Sequence, residues 1–590
     1  MIIGCACMIL TVPYYYCIIS KAINVRMNDM DRLKTYFTSK TGALGWMLAV
    51  CLMCVGLFFE FLSCIASAVL CVYIVVTARK NKKLVYISSF QTAAVVSIPL
   101  FYFCSVFWAI DMGMAATGVL KVLPAFLFMV AVMQQKQSTD KLLEAVPLAA
   151  LVMTAVSGAV MMFSPSNSIF APAGRLSGFL MYSNTYALIT LAALIITATK
   201  EKTDKLDLVC IPVFIGGIIL SGSRTVFVIM AAAVAVLVFT SKNKTIRITL
   251  LCVFCAAAAI AIVIALITGN VTNIGRFLSI SFKRSTFQGR LLYYRDALPI
   301  AAKNPMGTGF LGFYYLQQSV QTGLYSVRYV HNDLLQLALD AGWIPAILIT
   351  AAAARSFFKK GAGVRKRLLI GVMGLHSLMD MDFQFTAVLM MFVLLLDIDK
   401  GKRSIVKSQK VSRAGICALG CAAVYMAVPL GAESFEFDRL SHALYPWNTQ
   451  VNIRMLMNEE DSAAADKMAD SIIAQNRFVT VAYSAKAAHA FSEGNVQEMM
   501  KYKDKAISNA PLVAEEYFDY IRTLAVAEQM YFNSGDSASA GICTQKLMAT
   551  LREFRSIPDK LSEQGRNIQD QPITELPEDI EEYLKKRGLS

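Results

Sequence analysis

The chain is 590 residues long, and 56% of them are hydrophobic against 16% charged. Its mean hydropathy of +0.52 lies well above that of soluble globular domains, which excludes a soluble enzyme of ordinary composition. The net charge of +15 does not imply a nucleic-acid partner, because residues 433–590 carry 17 Lys and Arg against 25 Asp and Glu, a net of −8, while the other 432 carry 39 against 16, a net of +23. The excess base belongs to the apolar part, where loop Lys and Arg orient membrane spans.

Windows of 18 or more apolar residues recur, the signature of helices that cross a bilayer. The expected fold is all-α: a polytopic transmembrane helical bundle of about 12–14 spans, a large extracytoplasmic loop and a C-terminal soluble helical-repeat domain. In chain order the spans fall at 1–20, 43–59, 61–78, 85–109, 113–133, 142–163, 177–198, 206–222, 225–241, 247–268, 334–354, 366–379, 384–398 and 413–431. Met1 to Ser20 lacks a basic n-region, so it reads as a first span and not as a cleaved signal peptide. The stretches 366–379 and 384–398 are shorter than the ~20 residues a crossing helix needs; they read as tilted or as a re-entrant pair. The expected domains are 1–432 in the membrane, with the loop 269–333, then 433–557 as a helical domain outside the cytoplasm. Residues 558–590 read as an acidic tail, partly ordered at best.

Alternate loops are basic: ARKNKK (78–83), KEKTDK (200–205), SKNKTIR (241–247), RSFFKKGAGVRKR (355–367) and KGKRSIVKSQKVSR (400–413). By the positive-inside rule they face the cytoplasm. The opposite set then faces out: Asp111, the 164–176 loop, the SGSR turn, the 269–333 loop, the MDMDFQ turn and the acidic tail. This places the chain in the cytoplasmic membrane as a multi-pass protein.

Four polar clusters fall on that outer side. GRLSGFLMYSNTYA carries Arg175, Ser177, Tyr182 and Asn184. SGSRT carries Arg224 between two apolar spans. An arginine there either snorkels to a headgroup or binds an anion; guanidinium is a rigid fork that takes phosphate bidentately. The long loop carries Lys283, Arg284, Arg290, Arg295, Lys303 and Arg328, with Asp296 and Asp333 as its acidic residues. It reads as a solvated surface or as an electropositive site for a phosphorylated, membrane-held substrate. Its NPMGTGF segment is a Pro/Gly turn that would let backbone approach a ligand. The loop ends at RYVHND. His331 either closes the turn before the next helix or moves a proton, since histidine is the side chain that changes charge near neutrality. Asn332 or Asp333 is the better helix cap. HSLMDMDFQF supplies His376, Asp380 and Asp382, which would hold a divalent cation, orient an arginine or bind acceptor hydroxyls. One His and two Asp do not make a convincing metal site, so no metal and no cofactor are assigned.

At these residues the chain resembles the O-antigen ligase and O-antigen polymerase superfamily. The resemblance rests on GRLSGFLMYSNTYA, LSGSRT, the GR…NPMGTGF loop and HNDLLQLALDAGW, in that order, and covers roughly 165–400. The HSLMDMDFQF turn is similar to a segment of the branch that includes protein O-oligosaccharyltransferases and polymerases with helical-repeat tails. The resemblance implies a metal-independent, inverting glycosyltransferase that uses an undecaprenyl-diphosphate-linked glycan donor. His331 would be the general base toward an acceptor hydroxyl on a glycan, a lipid or a protein. Arg224 and Arg290 would bind the diphosphate. Arg175, Asn184, Arg328, Asn332, Asp380 and Asp382 would complete the substrate site.

In the tail, AYSAKAAHAFSEGNVQEMMKYKDKAISNAPLVAEEY reads as two helices separated at SEGN and ended near Pro511. It resembles a degenerate tetratricopeptide unit, a surface on which an envelope protein partner would dock. The rival reading is a lipid-linked oligosaccharide flippase. A flippase spreads charge through many spans toward both faces; here the charged groups gather around one outer loop.

Overall fold

The computed structural model of the protein describes residues 42–135, 138–165, 167–268 and 285–589. The expected span at 1–20 and loop residues 269–284, with Lys283 and Arg284, lie outside them. Among the described residues almost every element is a helix. Five helices are long and apolar enough to cross a membrane: Glu60–Lys80, Phe90–Trp108, Met112–Met133, Thr139–Phe163 and Gln409–Ser434. This is the all-α polytopic architecture that the hydropathy predicts.

The chain divides into two compact units, one of residues 1–96, 121–280 and 348–424, the other of residues 97–120, 281–347 and 425–590. The division therefore does not follow the expected boundary at 432. The long loop and the turn around Asp111 share a unit with the helical tail.

In the first unit the Ser183–Ala198 helix is central. Every residue of it except Asn184 is buried. Its sequence is apolar on all sides, the pattern of a helix enclosed by others. The helices Ala145–Phe163, Lys205–Ser221, Arg224–Thr240 and Val364–Ser377 pack around it. The Thr386–Leu394 helix is buried along all nine residues. At 1.5 Å per residue it is about 14 Å long, half the hydrocarbon thickness, so this helix alone is too short to cross the bilayer. The expected span at 85–109 starts later: Val85–Ser88 is a strand paired antiparallel with Lys402–Ile405, Val85 opposite Ile405. The β-branched and aromatic residues of VYIS favour that choice.

The basic loops of this unit meet one another. Arg365 donates to Glu144 Oε1 at 2.8 Å and to the Thr199 hydroxyl at 2.8 Å, and Lys200 pairs with Asp207. Lys359, Lys366 and Lys400 all reach Asp397, at 3.2, 2.7 and 2.9 Å. Loops read as facing one compartment are thus gathered together.

In the second unit the long loop is itself helical, with Ser285–Lys303 and Gly312–Val320, where hydropathy indicated only a polar connection. Ala297, Ala301, Phe313, Val330, Leu335 and Leu339 form its core. The expected span at 334–354 is broken into Asp333–Ala341 and Trp343–Phe358. The break is Gly342, at φ +93°, where a Cβ would come within 2.7 Å of the Pro305 carbonyl oxygen. The NPMGTGF turn does make a close approach, but to the chain itself. Thr308 N–H donates to the Leu339 carbonyl at 2.6 Å and Trp343 N–H to Pro305 at 3.0 Å.

The tail is a series of helices: Asp438–Leu444, Thr449–Met457, Ser462–Gln475, Thr480–Ser492, Val496–Asn509, Ala514–Asn533 and Ser537–Arg555. Neighbours in sequence pack on one another. Asn448, Asp461, Asn495 and Asp536 cap their helices, each side chain accepting a backbone N–H of the first turn, the chemistry that favours these residue types there. The expectation of a partly ordered terminus is corrected. The Glu578–Lys586 helix buries Ile580 and Leu584 in the tail's core, and Tyr583 and Arg587 both bond Glu528. The acidic composition hid an apolar face one helical turn wide.

Candidate active site

The polar residues singled out above form two constellations, one in each unit. In the first unit, the SGSR turn ends the Lys205–Ser221 helix and begins Arg224–Thr240. Arg224 is half-buried in the first turn of its helix, where unpaired backbone N–H groups also favour an anion. Arg175 reaches the same turn: its Nε donates to the Ser221 carbonyl at 2.8 Å. Its Nη2 donates to Asn184 Oδ1 at 2.8 Å. The other half of that amide donates to Asp380 Oδ2 at 2.7 Å, and the Tyr182 hydroxyl donates to Asp380 Oδ1 at 2.6 Å. Asp380 thus holds Arg175 through Asn184, the arginine-orienting alternative among those open for the HSLMDMDFQF turn.

Asp382 is fully buried and accepts from Thr185 at 2.7 Å, while His376 Nδ1 lies 2.5 Å from its other oxygen. Among the described residues no group of His, Cys, Asp and Glu has the arrangement of a metal site. Both carboxylates are engaged by neighbouring side chains.

Composition did not single out Lys121. It is 2% exposed, its Nζ sits 3.5 Å from Glu60 and donates to the Phe58 carbonyl. The Thr386 hydroxyl donates to the Lys121 carbonyl at 2.9 Å, tying this pair to the Thr386–Leu394 helix. The available signal was a single lysine within an apolar span, which marks a functional or structural polar site by default.

In the second unit, His331 is half-buried, with φ +52°. The left-handed conformation costs a non-glycine residue about 1–2 kcal/mol, and such strain persists where surrounding contacts over-determine it. Here they do. The Tyr294 hydroxyl donates to the His331 carbonyl at 2.6 Å. The Tyr293 ring stacks on the imidazole, centroids 6.2 Å apart. On the N-terminal side, Val330 N–H donates to Gln336 Oε1 at 2.9 Å. On the other side, Asn332 Oδ1 accepts from Leu335 N–H at 3.0 Å and caps the Asp333–Ala341 helix. Capping therefore falls to Asn332, as its chemistry suggests.

Arg290 lies one helical turn before Tyr293 and Tyr294 on the Ser285–Lys303 helix. Burial pushes the Tyr293 phenol up, and the Arg290 charge opposes that shift. Arg328 stands over the Tyr329 ring at 5.8 Å and donates to Gln450 of the tail at 3.3 Å. Tyr293 and Tyr294 were missed in the sequence. The signal was present in GRLLYYRD, because positions i+3 and i+4 from Arg290 share its helix face.

Residues 209–350 match the family model described as O-antigen ligase. The chain carries an O-antigen ligase domain. That domain contains Arg224, Arg290, Arg328, His331 and Asn332, while Arg175, Asn184, Asp380 and Asp382 lie outside the matched stretch. It supports an O-antigen ligase-family role in surface-glycan biosynthesis at a membrane, with lipid-linked glycan donor and acceptor substrates and glycosyltransferase-like activity. The match does not extend to the helical tail. No curated protein matches the chain.

Proposed function

We propose that the protein is a membrane glycosyltransferase that transfers or polymerises oligosaccharide from an undecaprenyl-diphosphate-linked donor onto an acceptor hydroxyl, on the extracytoplasmic side. The observation that carries this reading is His331, held by Tyr293 and Tyr294 from the helix that bears Arg290. The acceptor oxygen attacks the anomeric carbon from the face opposite the diphosphate, inverting it. The bond from that carbon to the diphosphate oxygen breaks, and the electron pair leaves with the lipid diphosphate. His331 takes the acceptor proton. Arg224 and Arg290 bind the departing diphosphate, whose charge grows in the transition state. Arg175, fixed by Asn184 and Asp380, and Arg328 are further substrate-binding residues in this reading.

The outer placement has one further support. Asp111, the long loop and the tail were all assigned to one side by the positive-inside rule, and the second unit packs them together. Asn476 donates to Asp111 at 3.0 Å, and Tyr445 donates to the Gly113 carbonyl at 2.8 Å.

The test is transfer by purified protein from an undecaprenyl-diphosphate oligosaccharide, with His331→Ala beside the wild type. A loss of about 100-fold or more is the scale expected of a general base; transfer at the wild-type rate would sink the assignment. Activity retained in EDTA is expected of a metal-independent reaction. The size ladder of the product separates polymerisation from single ligation.

A further inference from the structure

The Ser285–Lys303 helix that supports His331 is itself anchored, and its anchor comes from the far end of the chain. One turn beyond Tyr293 and Tyr294 the helix carries Asp296, a buried carboxylate. It accepts from the Thr322 backbone N–H at 2.9 Å, the Thr322 hydroxyl at 2.8 Å and the Tyr325 hydroxyl at 3.0 Å. The Tyr325 ring in turn packs on Tyr293, centroids 4.7 Å apart. Thr322 is then gripped from the tail. The backbone N–H and the hydroxyl of Ser562 both donate to the Thr322 carbonyl, at 2.8 and 3.1 Å. Arg295, on the same helix, donates to Gln564. The approach is backbone to backbone: a Cβ on Gly565 would lie 2.1 Å from the Thr322 carbonyl oxygen and 2.9 Å from the Gly323 Cα.

A continuous run of contacts therefore leads from Ser562 through Thr322, Asp296 and Tyr325 to Tyr293, Tyr294 and His331. Each link is a hydrogen bond or a ring contact inside one compact unit, except that Tyr294 joins the run through the helix it shares with Tyr293 and Asp296. The contacts at the tail end join residues some 240 positions apart. Leu324, two residues on from Thr322, packs with Leu561 on the tail's apolar core, so the same stretch is held by the tail through apolar contact as well.

We propose that the segment Ser562–Arg566 is a strap that positions His331, with Asp296, Thr322, Tyr293 and Tyr294 as the positioning residues between them. This rests on His331 being the base. The strap makes the C-terminal domain part of the transfer machinery and not only a surface for partners. An anchored helix keeps the imidazole within reach of the acceptor hydroxyl, and a displacement of about 1 Å costs a rate effect without loss of donor binding.

The experiment is a double-mutant cycle on the full-length protein in detergent or nanodiscs, with the undecaprenyl-diphosphate oligosaccharide as donor. Gly565→Val lifts the strap off Thr322. Thr322→Val removes the hydroxyl from Asp296 and from the Ser562 hydroxyl but keeps the Thr322 carbonyl that Ser562 grips, so the result does not depend on one variant folding. Thr322→Ser is the conservative control. We expect Gly565→Val and Thr322→Val each to lower kcat about tenfold or more, with donor KM within about twofold; each loses hydrogen bonds and so melts somewhat lower, and rates are compared at a temperature where both stay folded. Thr322→Ser should restore the rate. In a His331→Ala background, followed over hours as residual transfer, both changes should cost almost nothing further, because residues acting through one group are not additive. The same tenfold loss in that background would mean that the strap acts elsewhere and would overturn the proposal, as would wild-type kcat in both single variants. His331→Ala with wild-type transfer is a separate outcome, read before the cycle is closed, and it removes the base together with the strap's purpose.

Discussion

The hydroxyl of Tyr294 donates to the backbone carbonyl of His331 across 2.6 Å, at a residue held in the left-handed region at φ +52°. The tyrosine stabilises the strained residue from a helix 37 positions earlier in the chain. Removing the hydroxyl in Tyr294→Phe keeps the ring and deletes one hydrogen bond, worth about 1 kcal/mol of stability. The expected result is a several-fold fall in kcat with donor KM unchanged, measured by initial rates. An unchanged kcat would show that the Tyr293 stack alone fixes the imidazole.

Asp380 and Arg175 are joined through the single amide of Asn184. Asn184→Ala should therefore release the guanidinium and raise donor KM, and Asp380→Asn should do the same more weakly. In an Arg175→Ala background neither change should add to the effect. Donor titration of the single and double variants reads this directly; additive losses would give Asp380 a separate role.

Lys121 and Glu60 form a pair of which the lysine is 2% exposed and the glutamate 15%. Removing one partner strands the other in low-dielectric surroundings, at a cost of about 3–5 kcal/mol. Lys121→Met should lower the melting temperature sharply, and adding Glu60→Gln should recover much of the loss. Calorimetry or a thiol-independent melting assay in detergent distinguishes the two. A Lys121→Met protein as stable as wild type would leave the pair without a structural role.

Glu528 holds the end of the tail. Burial alone would raise its carboxyl, but donation from Tyr583, Thr544 and Arg587 outweighs that and holds it below its ordinary range. A folded-state pKa below the unfolded one means that the unfolded chain takes up the proton first as the pH falls. The contribution is thus fully present above the ordinary glutamate range and is lost as the pH drops through the depressed value. The melting temperature of wild type should exceed that of Glu528→Gln at pH 7, and the difference should shrink as the pH is lowered below about 4.3. A constant difference would remove the ionised carboxylate from the account.

Hydropathy and turn chemistry carried much of the fold. The spans at 61–78, 113–133, 206–222 and 225–241 lie close to their helices, because an apolar run of that length satisfies its backbone only as a helix. The tail helices were visible at 482–517, where the SEGN break and Pro511 leave the chain few alternatives. Hydropathy erred where tertiary contact decides. The 334–354 run reads as one span, yet the backbone of Pro305 meets Gly342 and breaks it. The loop's Ser285–Lys303 helix is amphipathic, and its apolar face became meaningful only with Val330 and Leu335 to cover it.

The candidate site divides in the same way. Its residue types were legible from the sequence alone: Arg224 beside an apolar span, Arg290 in a basic outer loop and His331 at the seam between that loop and an apolar run stand out because they suit diphosphate binding and proton transfer. The partners were not legible. Asn184 meets Asp380 across 196 positions, Tyr294 meets the His331 carbonyl across 37, and Ser562 meets Thr322 across 240. Local pattern determines which side chains a helix or turn presents. Which of them meet depends on contacts whose sequence separation exceeds any local period, and those only the packed tertiary structure decides.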